Sequence, residues 1–391
     1  MGILDVFKKK TTENDNIPKF DYGKATEVIF EKMDVAREKL GHVNILITGK
    51  SGAGKSTLIN SVFGEELTKT GIGKPVTDEI KKISKEGYPL RIYDTVGLEL
   101  GKKEQSQSEK DIINKIKELQ KNDNRDELIH CIWYCVVAAS DRLEPHEEEF
   151  IEQLADISQV PVIVLVTKAV SKASEIFRKN IENRNLNIAK TFCILAQDME
   201  IDEDYTKKAY GCDELVNFVV ENVPKHAQGA FIAAQKVSMK HKSDKAMTYV
   251  VAASVSAAAE GFLPLPFSDS VALVPTQIGM LAAITTAYGL NIQKSTMSTV
   301  ITSLMGTSAT TAVGKSIVSA LLKCIPGPGT LAGGMISGTI AAALTTALGK
   351  TYIKIMEKIA SGEMTESDLK NESVLDTFKD MFVKFYKKDE K

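Results

Sequence analysis

Eight residues, Gly49-Lys50-Ser51-Gly52-Ala53-Gly54-Lys55-Ser56, restrict this chain more than any other feature. They follow the apolar run Val43 to Thr48, which reads as a strand, and they open a helix over Ser56 to Phe63. Strand, glycine-rich turn and helix in that order form a loop whose backbone N–H groups point inward. The glycines let the backbone wrap closely. The helix N-terminus adds partial positive charge. Such a loop cradles nucleotide phosphates. At this spacing Lys55 reaches the β- and γ-phosphates and Ser56 ligates Mg²⁺. Gly49 through Ser56, with Thr57, are therefore expected to line the phosphates.

Other segments carry weaker signals that gain weight from their order. Asp94-Thr95-Val96-Gly97 closes the strand expected over Leu90 to Tyr93. A carboxylate there can hold Mg²⁺, and the Gly97 N–H can meet the γ-phosphate and report its loss. Between this segment and the loop lies Thr70 to Thr77, rich in glycine and suited to a mobile loop. Thr77 is the expected additional metal ligand because it directly precedes the next strand; Thr70 is the alternative. Ser56, Thr77 and Asp94 then form the metal set, and Lys55, Ser56, Thr77 and Gly97 the catalytic set. Val162 to Val166 is a further strand, ending in Thr167-Lys168-Ala169-Val170. The stem of Lys168 can lie along a purine ring. Leu195-Ala196-Gln197, after the following strand, brings the Ala196 N–H to the base.

The remaining pattern is an α/β alternation. Helices are expected over 23–40, 108–121, 145–155, 172–183 and 212–223, and strands over 79–84, 128–137 and 191–195. Strands alternating with helices imply a three-layer, mostly parallel sheet. Composition then changes abruptly. Only five charged residues lie among the 104 from Ala246 to Gly349, against 95 in the other 287. Within that region Ala282 to Gly289 matches Ala342 to Gly349 at six of eight positions, 60 residues apart, and Pro266 meets Pro326 at the same offset. An all-α domain of two related apolar hairpins is the expectation. The domains read as a tail and helix over 1–41, the α/β domain over 42–226, the apolar helical domain over 246–360 and a charged tail over 361–391.

The run from the loop through Asp94-Thr95-Val96-Gly97 to Thr167-Lys168 resembles the translation-factor class of P-loop GTPases, most nearly the bacterial Era-like and septin-like members. The helical region, through Leu265-Pro266-Phe267-Ser268-Asp269 and Leu273-Val274-Pro275-Thr276-Gln277, resembles the alanine-rich YcjF-like domain. The resemblance implies a GTP-hydrolysing switch, with GTP or GDP and Mg²⁺ as cofactors, that governs a helical effector domain. It also implies pairing of two copies through the nucleotide face. Two positions depart from the family. Val170 stands where a base-reading aspartate is usual, with Asp198 or Asp202 as substitutes from a neighbouring loop. Leu98 replaces the water-positioning glutamine, which leaves Glu99, a partner or a cation to supply that group.

A net charge of −2 gives no indication of a nucleic-acid partner. The uncharged stretches 270–293 and 324–349 are long enough to span a bilayer. Their prolines, threonines and glycines favour packed helices, or conditional contact of residues 246–349 with a membrane or protein partner. A cytoplasmic protein with conditional, peripheral membrane association is the expectation. A P-loop ATPase or kinase, and a nucleotide-regulated membrane or scaffold module without significant turnover, are the rival readings.

Overall fold

The computed structural model describes residues 22–64, 72–77, 80–95, 102–121, 124–259, 263–264, 275–298, 335–336 and 338–389. A helix, α1 (Tyr22–Leu40), comes first. The α/β domain follows as β1 (Val43–Gly49), α2 (Lys55–Phe63), β2 (Ile72–Thr77), β3 (Ile80–Ser84), β4 (Leu90–Thr95), α3 (Lys102–Gln120), β5 (Cys131–Val137), α4 (Pro145–Ser158), β6 (Val162–Thr167), α5 (Lys172–Glu182) and β7 (Lys190–Ile194). Next come β8 (Met199–Asp202), β9 (Tyr205–Lys207), α6 (Cys212–Asn222) and α7 (Lys225–Ala234). The sheet order is β2-β3-β4-β1-β5-β6-β7. β4, β1, β5, β6 and β7 are parallel, while β2 and β3 are antiparallel additions at one edge.

Near-continuous apolar strands require cover on both faces. On one face Ile45, Ile47, Trp133 and Leu165 meet Leu58, Phe63, Leu215 and Val219 of α2 and α6. On the other, Leu46, Tyr134 and Val164 meet Ile112, Phe150 and Phe177 of α3, α4 and α5. Two elements differ from the expectation. Residues 72–77, expected as a mobile loop, form edge strand β2, and Pro75 is tolerated there at a register shift. The β8–β9 hairpin, which alternation did not signal, stands on four exposed residues, Met199 to Asp202.

The helical region contains α8 (Met239–Ala259), α9 (Pro275–Tyr288), α10 (Gly338–Ala360) and α11 (Glu372–Asp389). Residues 263–264 and 335–336 pair as a short antiparallel ribbon. Its core includes Val250, Leu281, Ile284, Leu344, Tyr352 and Met356. Two segments expected at the margins enter this core. Ile29 and Met33 of α1 are fully buried in it, as are Phe378, Phe382 and Tyr386 of α11 at 5% exposure or less. The charged tail is therefore an amphipathic helix, whose apolar residues recur every four positions while Asp376, Asp380, Lys384 and Lys387 are exposed. No helix among the described residues is long and apolar enough to cross a membrane.

Pro266 and Pro326, the turns of the expected repeat, lie outside the described residues. The matching octapeptides are helical in both copies, but they end differently. Gly289 leaves α9 at φ 66°, where a Cβ would lie 2.2 Å from the Ala233 carbonyl oxygen. Gly349 continues α10, and a Cβ there would lie 2.5 Å from Val250 of α8. The same small residue ends one helix and admits a close neighbour to the other.

α7 joins the two regions. Ala227, Ala230, Phe231 and Ala234, spaced three and four apart, are buried against the sheet core. At its end Lys242 of α8 donates to the carbonyls of Ala233, at 2.7 Å, and Tyr288, at 3.0 Å. One ammonium thus caps the C-termini of α7 and α9. Burial, with Lys236 nearby, pushes the Lys242 pKa down to about 7.

Phe382→Ala is expected to cost about 3–5 kcal/mol in urea unfolding, as for a core aromatic; a loss below about 0.5 kcal/mol would mark α11 as a tail. Lys242 binds its proton more weakly folded than unfolded. Its contribution to stability should therefore rise between about pH 7, the folded value, and the ordinary lysine range. Lys242→Met should flatten that rise in thermal unfolding measured from pH 7 to 10.

Candidate functional site

The loop after β1 has the backbone that phosphate wrapping needs. Gly49, Gly52 and Gly54 adopt φ of 136°, 71° and 80°. A Cβ at Gly49 would lie 2.2 Å from the Cys135 carbonyl oxygen, so only glycine lets β1 turn this close to β5. Gly54 is the N-cap of α2 and has no side-chain cap, which leaves the first-turn N–H groups facing the loop. Ala53 is buried and anchors the loop from below, while Ser51 and Ser56 are exposed and Thr57 half-buried. Lys55 is buried. Its ammonium donates to the carbonyls of Gly49, at 2.9 Å, and Lys50, at 3.2 Å, and so lies inside the ring of backbone it would share with phosphates.

Neighbouring strand ends hold this loop. Thr95 donates to the Thr48 hydroxyl at 3.1 Å, pinning the end of β4 to that of β1. The Thr167 hydroxyl lies 2.7 Å from the Ala53 carbonyl and 3.1 Å from that of Val136. Thr167 is thus placed on the loop backbone, and Lys168, exposed and at φ 53°, turns away from the strand. Ala196 follows β7, half-buried beside the sheet core.

Asp94 sits beside the lysine. Burial pushes its carboxyl pKa up, and Lys55 and Lys81 pull it back. Its Oδ1 is buried without a hydrogen-bond partner. An orphaned carboxylate oxygen in a cationic field fits a hard cation that prefers oxygen ligands. Thr77 ends β2, and its backbone pairs with Ile80 at the start of β3. Gly97, Leu98, Glu99 and Thr70 lie outside the described residues. The proposed substitutes for the base-reading carboxylate are engaged elsewhere. Asp198 accepts from the Ala209 N–H and from Lys208, both at 2.8 Å, and Asp202 accepts from the Asp204 N–H at 3.0 Å.

Glu147 escaped the sequence reading. Its side chain is 4% exposed and pairs with Lys50 of the loop at 3.2 Å. Tyr134 donates to it at 3.2 Å, and it accepts the Glu144 N–H at 3.0 Å in a capping box on α4. The signal was the Glu-Pro-x-Glu spacing at the helix start, which marks a cap without showing that the cap reaches the loop.

Comparison with known proteins agrees with this arrangement. The 50S ribosome-binding GTPase family matches residues 44–168, and the Domain of unknown function (DUF697) matches residues 226–381. The second match begins inside α7, so a helix packed on the nucleotide-binding sheet falls within the helical family's span. Human septin-12 is 27% identical over 212 residues, 46% of this chain and 57% of septin-12. GTPase Der of Dinoroseobacter shibae is 29% identical over 113 residues, covering 28% of this chain and 23% of Der. Translocase of chloroplast 126 of Physcomitrium patens is 27% identical over 177 residues, 44% of this chain and 14% of that protein. The chain thus spans little more than half of septin-12 and far less of the other two. Among solved structures, Era in complex with MgGDPNP and a 16S ribosomal RNA segment aligns over 47% of this chain and 58% of that chain, at 19% identity and a TM-score of 0.32.

Lys55→Ala is expected to weaken GDP binding by about 2–5 kcal/mol in calorimetry, the range for truncating a buried, hydrogen-bonded charge. Asp94→Asn should raise the thermal midpoint of the nucleotide-free protein at neutral pH more than in acid, because it removes a carboxylate whose ionisation burial disfavours. The same change should remove the dependence of nucleotide affinity on Mg²⁺. An Asp94→Asn protein that keeps that dependence would place the metal elsewhere.

From loop geometry, strand order and family matches together, this chain carries a P-loop GTPase domain of the Era-like and septin-like type, followed by a DUF697 domain.

Proposed function

We propose that the chain hydrolyses GTP with Mg²⁺ and passes its nucleotide state to the helical domain. The observation that carries the first part is a buried Lys55 ammonium among the phosphate-loop carbonyls, with the partnerless Oδ1 of Asp94 within its electrostatic reach. Lys55 and the loop N–H groups stabilise charge on the β- and γ-phosphoryl oxygens as the bond to the leaving oxygen loosens. Ser56, Asp94 and Thr77 would hold Mg²⁺, which neutralises phosphate charge when bound. Water attacks the γ-phosphorus. With Leu98 in place of a polar water-orienting side chain, intrinsic turnover is slow. A kinase or ATPase reading would need an acceptor site, and none of the residues described at the loop provides one.

Coupling to the helical domain runs through α2. This helix begins at Lys55 and ends about 13 Å away at Phe63. There Tyr88 donates both to the Phe63 carbonyl, at 3.2 Å, and to the Ala234 carbonyl at the end of α7. The Lys236 N–H donates to the Val62 carbonyl at 2.8 Å. From Ala233 the Lys242 ammonium continues to Tyr288 of α9. A shift of α2 with the nucleotide would change hydrogen bonds that also terminate α7 and α9. A ligand shifts such an equilibrium only as far as its affinities for the two states differ.

Hydrogen exchange in the full chain tests the proposal. Replacing GDP by a non-hydrolysable GTP analogue should change exchange in 225–259 and 275–289. Tyr88→Phe should shrink that difference while GDP affinity holds. Equal exchange in the two nucleotide states would leave the helical domain uncoupled, and absence of GTP turnover that Lys55→Ala could reduce would end the hydrolase reading. Val251 and Val255, exposed on the uncharged half of α8, support membrane contact by this region; flotation with liposomes in the GTP-analogue state alone is the expected result.

A further inference from the structure

Four helices end at one cavity. The last residue of α7, Ala234, lines a space of about 550 Å³, and so do those of α1, α9 and α10, Leu40, Tyr288 and Ala360. The turn between β3 and β4 lines it too, from Lys85 to Pro89. The cavity lies at the far end of α2 from the phosphate loop, since Tyr88 on its wall donates to the Phe63 carbonyl. Its volume is that of a pocket for a small organic molecule.

The charges on its wall do not balance. Arg37, Lys85, Lys236 and Lys242 stand against two carboxylates, Glu38 and Glu86, both of them exposed. The His42 ring is engaged by Asp126 at 2.9 Å, and Arg37 donates to the Leu290 carbonyl at 3.2 Å. Lys242 is the buried member, at 1% exposure. Its bonds to the Ala233 and Tyr288 carbonyls occupy two of the three donors of an ammonium, and a third remains. The charge that acts on it is another cation, Lys236. Helix-end carbonyls stabilise such an ammonium in part. A buried cation beside a second cation still lacks a counter-charge.

We propose that this cavity is a second ligand site, which takes a small soluble phosphate monoester with Lys242 as the buried donor to its phosphate. Such a group carries nearly two negative charges at neutral pH and three acceptor oxygens, and the cations on the wall exceed the carboxylates by two. Leu40, Met239 and Ile359 give the organic part of the ester an apolar wall. Because Lys242 is almost wholly inside, the ester has to be small enough to enter whole. The site shares no residue with the phosphate loop and does not depend on which nucleotide that loop takes. Binding also carries a proton signature. Lys242, with its pKa near 7, is largely neutral at pH 8, and a neighbouring anion favours its charged form. The bound state should therefore hold one more proton, at Nζ of Lys242.

Phenyl phosphate is the probe, in calorimetry at pH 8 on the full chain saturated with GDP and Mg²⁺. The expected Kd is below about 1 mM, with inorganic phosphate, which lacks the apolar part, about tenfold weaker. Heats in two buffers of different ionisation enthalpy should show about 0.5–1 proton taken up per phenyl phosphate bound. Lys242→Met should weaken the probe by about tenfold or more and abolish the uptake. Lys85→Glu, on an exposed turn where folding is not at stake, should weaken it by about tenfold and keep the uptake. Lys55→Ala, which disables the phosphate loop, should change neither the affinity nor the uptake. Absence of binding by either phosphate up to about 10 mM would overturn the proposal. So would binding that survives both Lys242→Met and Lys85→Glu, or binding without proton uptake. Loss of the probe in Lys55→Ala would place the phosphate on the loop, and capture by phosphatidic acid vesicles without binding of the free probe would make the ligand a lipid; either result would overturn it as well.

Discussion

A side chain at position 49 would place its first carbon 2.2 Å from the carbonyl of Cys135, and much of the phosphate site follows from that exclusion. Because residue 49 is glycine, β1 can run to its end flat against β5 and then turn at φ 136°. The turn brings the Gly49 and Lys50 carbonyls around Lys55 and points the N-terminus of α2 into the same space. Thr167 and Thr95 tie the flanking strand ends to the loop and its strand, so the cradle is held from both sides. Preorganised dipoles of this kind need little rearrangement when charge develops on a phosphate.

Among the described residues two lysines are buried, far apart, and the backbone solvates both. Lys55 lies among loop carbonyls, with the carboxylate of Asp94 nearby. Lys242 lies between two helix C-termini, with Lys236 the charge that acts on it, and its pKa falls to about 7. Removing an ammonium from water costs several kcal/mol unless hydrogen bonds and charge restore it. The first lysine sits where phosphate would supply further charge. The second depends on helix ends, so its comfort depends on how α7 and α9 meet.

The boundary between the two regions is not a linker. α7 is buried in the nucleotide-binding sheet, yet it lies within the span matched by the helical family. α1 precedes the sheet in sequence but packs into the helical core through Ile29 and Met33. The helical domain therefore holds the α/β domain from before and after it along the chain. A motion of one against the other must pass through α1, α7 or the Tyr88 and Lys236 contacts at the end of α2.

The phosphate loop was legible in the sequence because its chemistry is local: glycines, lysine and serine act within eight consecutive residues. The parallel strands were legible too, since burial on both faces leaves unbroken apolar runs such as Val162 to Val166. The β8–β9 hairpin was not, because Met199 to Lys207 has no buried face to impose a period of two. Nor was the place of α11, whose lysines and aspartates gave it the composition of a tail while Phe378, Phe382 and Tyr386 carried its packing. Lys50 meeting Glu147 and Lys207 meeting Val170 join residues 97 and 37 positions apart, and spacing carries no information at that range. The matching octapeptides show the division most plainly. Their shared small residues determined that both would be helical and closely packed. Whether the final glycine ended the helix at Ala233 or admitted Val250 was decided by the neighbour that tertiary structure brought against it, because a residue without a Cβ is permissive and leaves the choice to its surroundings.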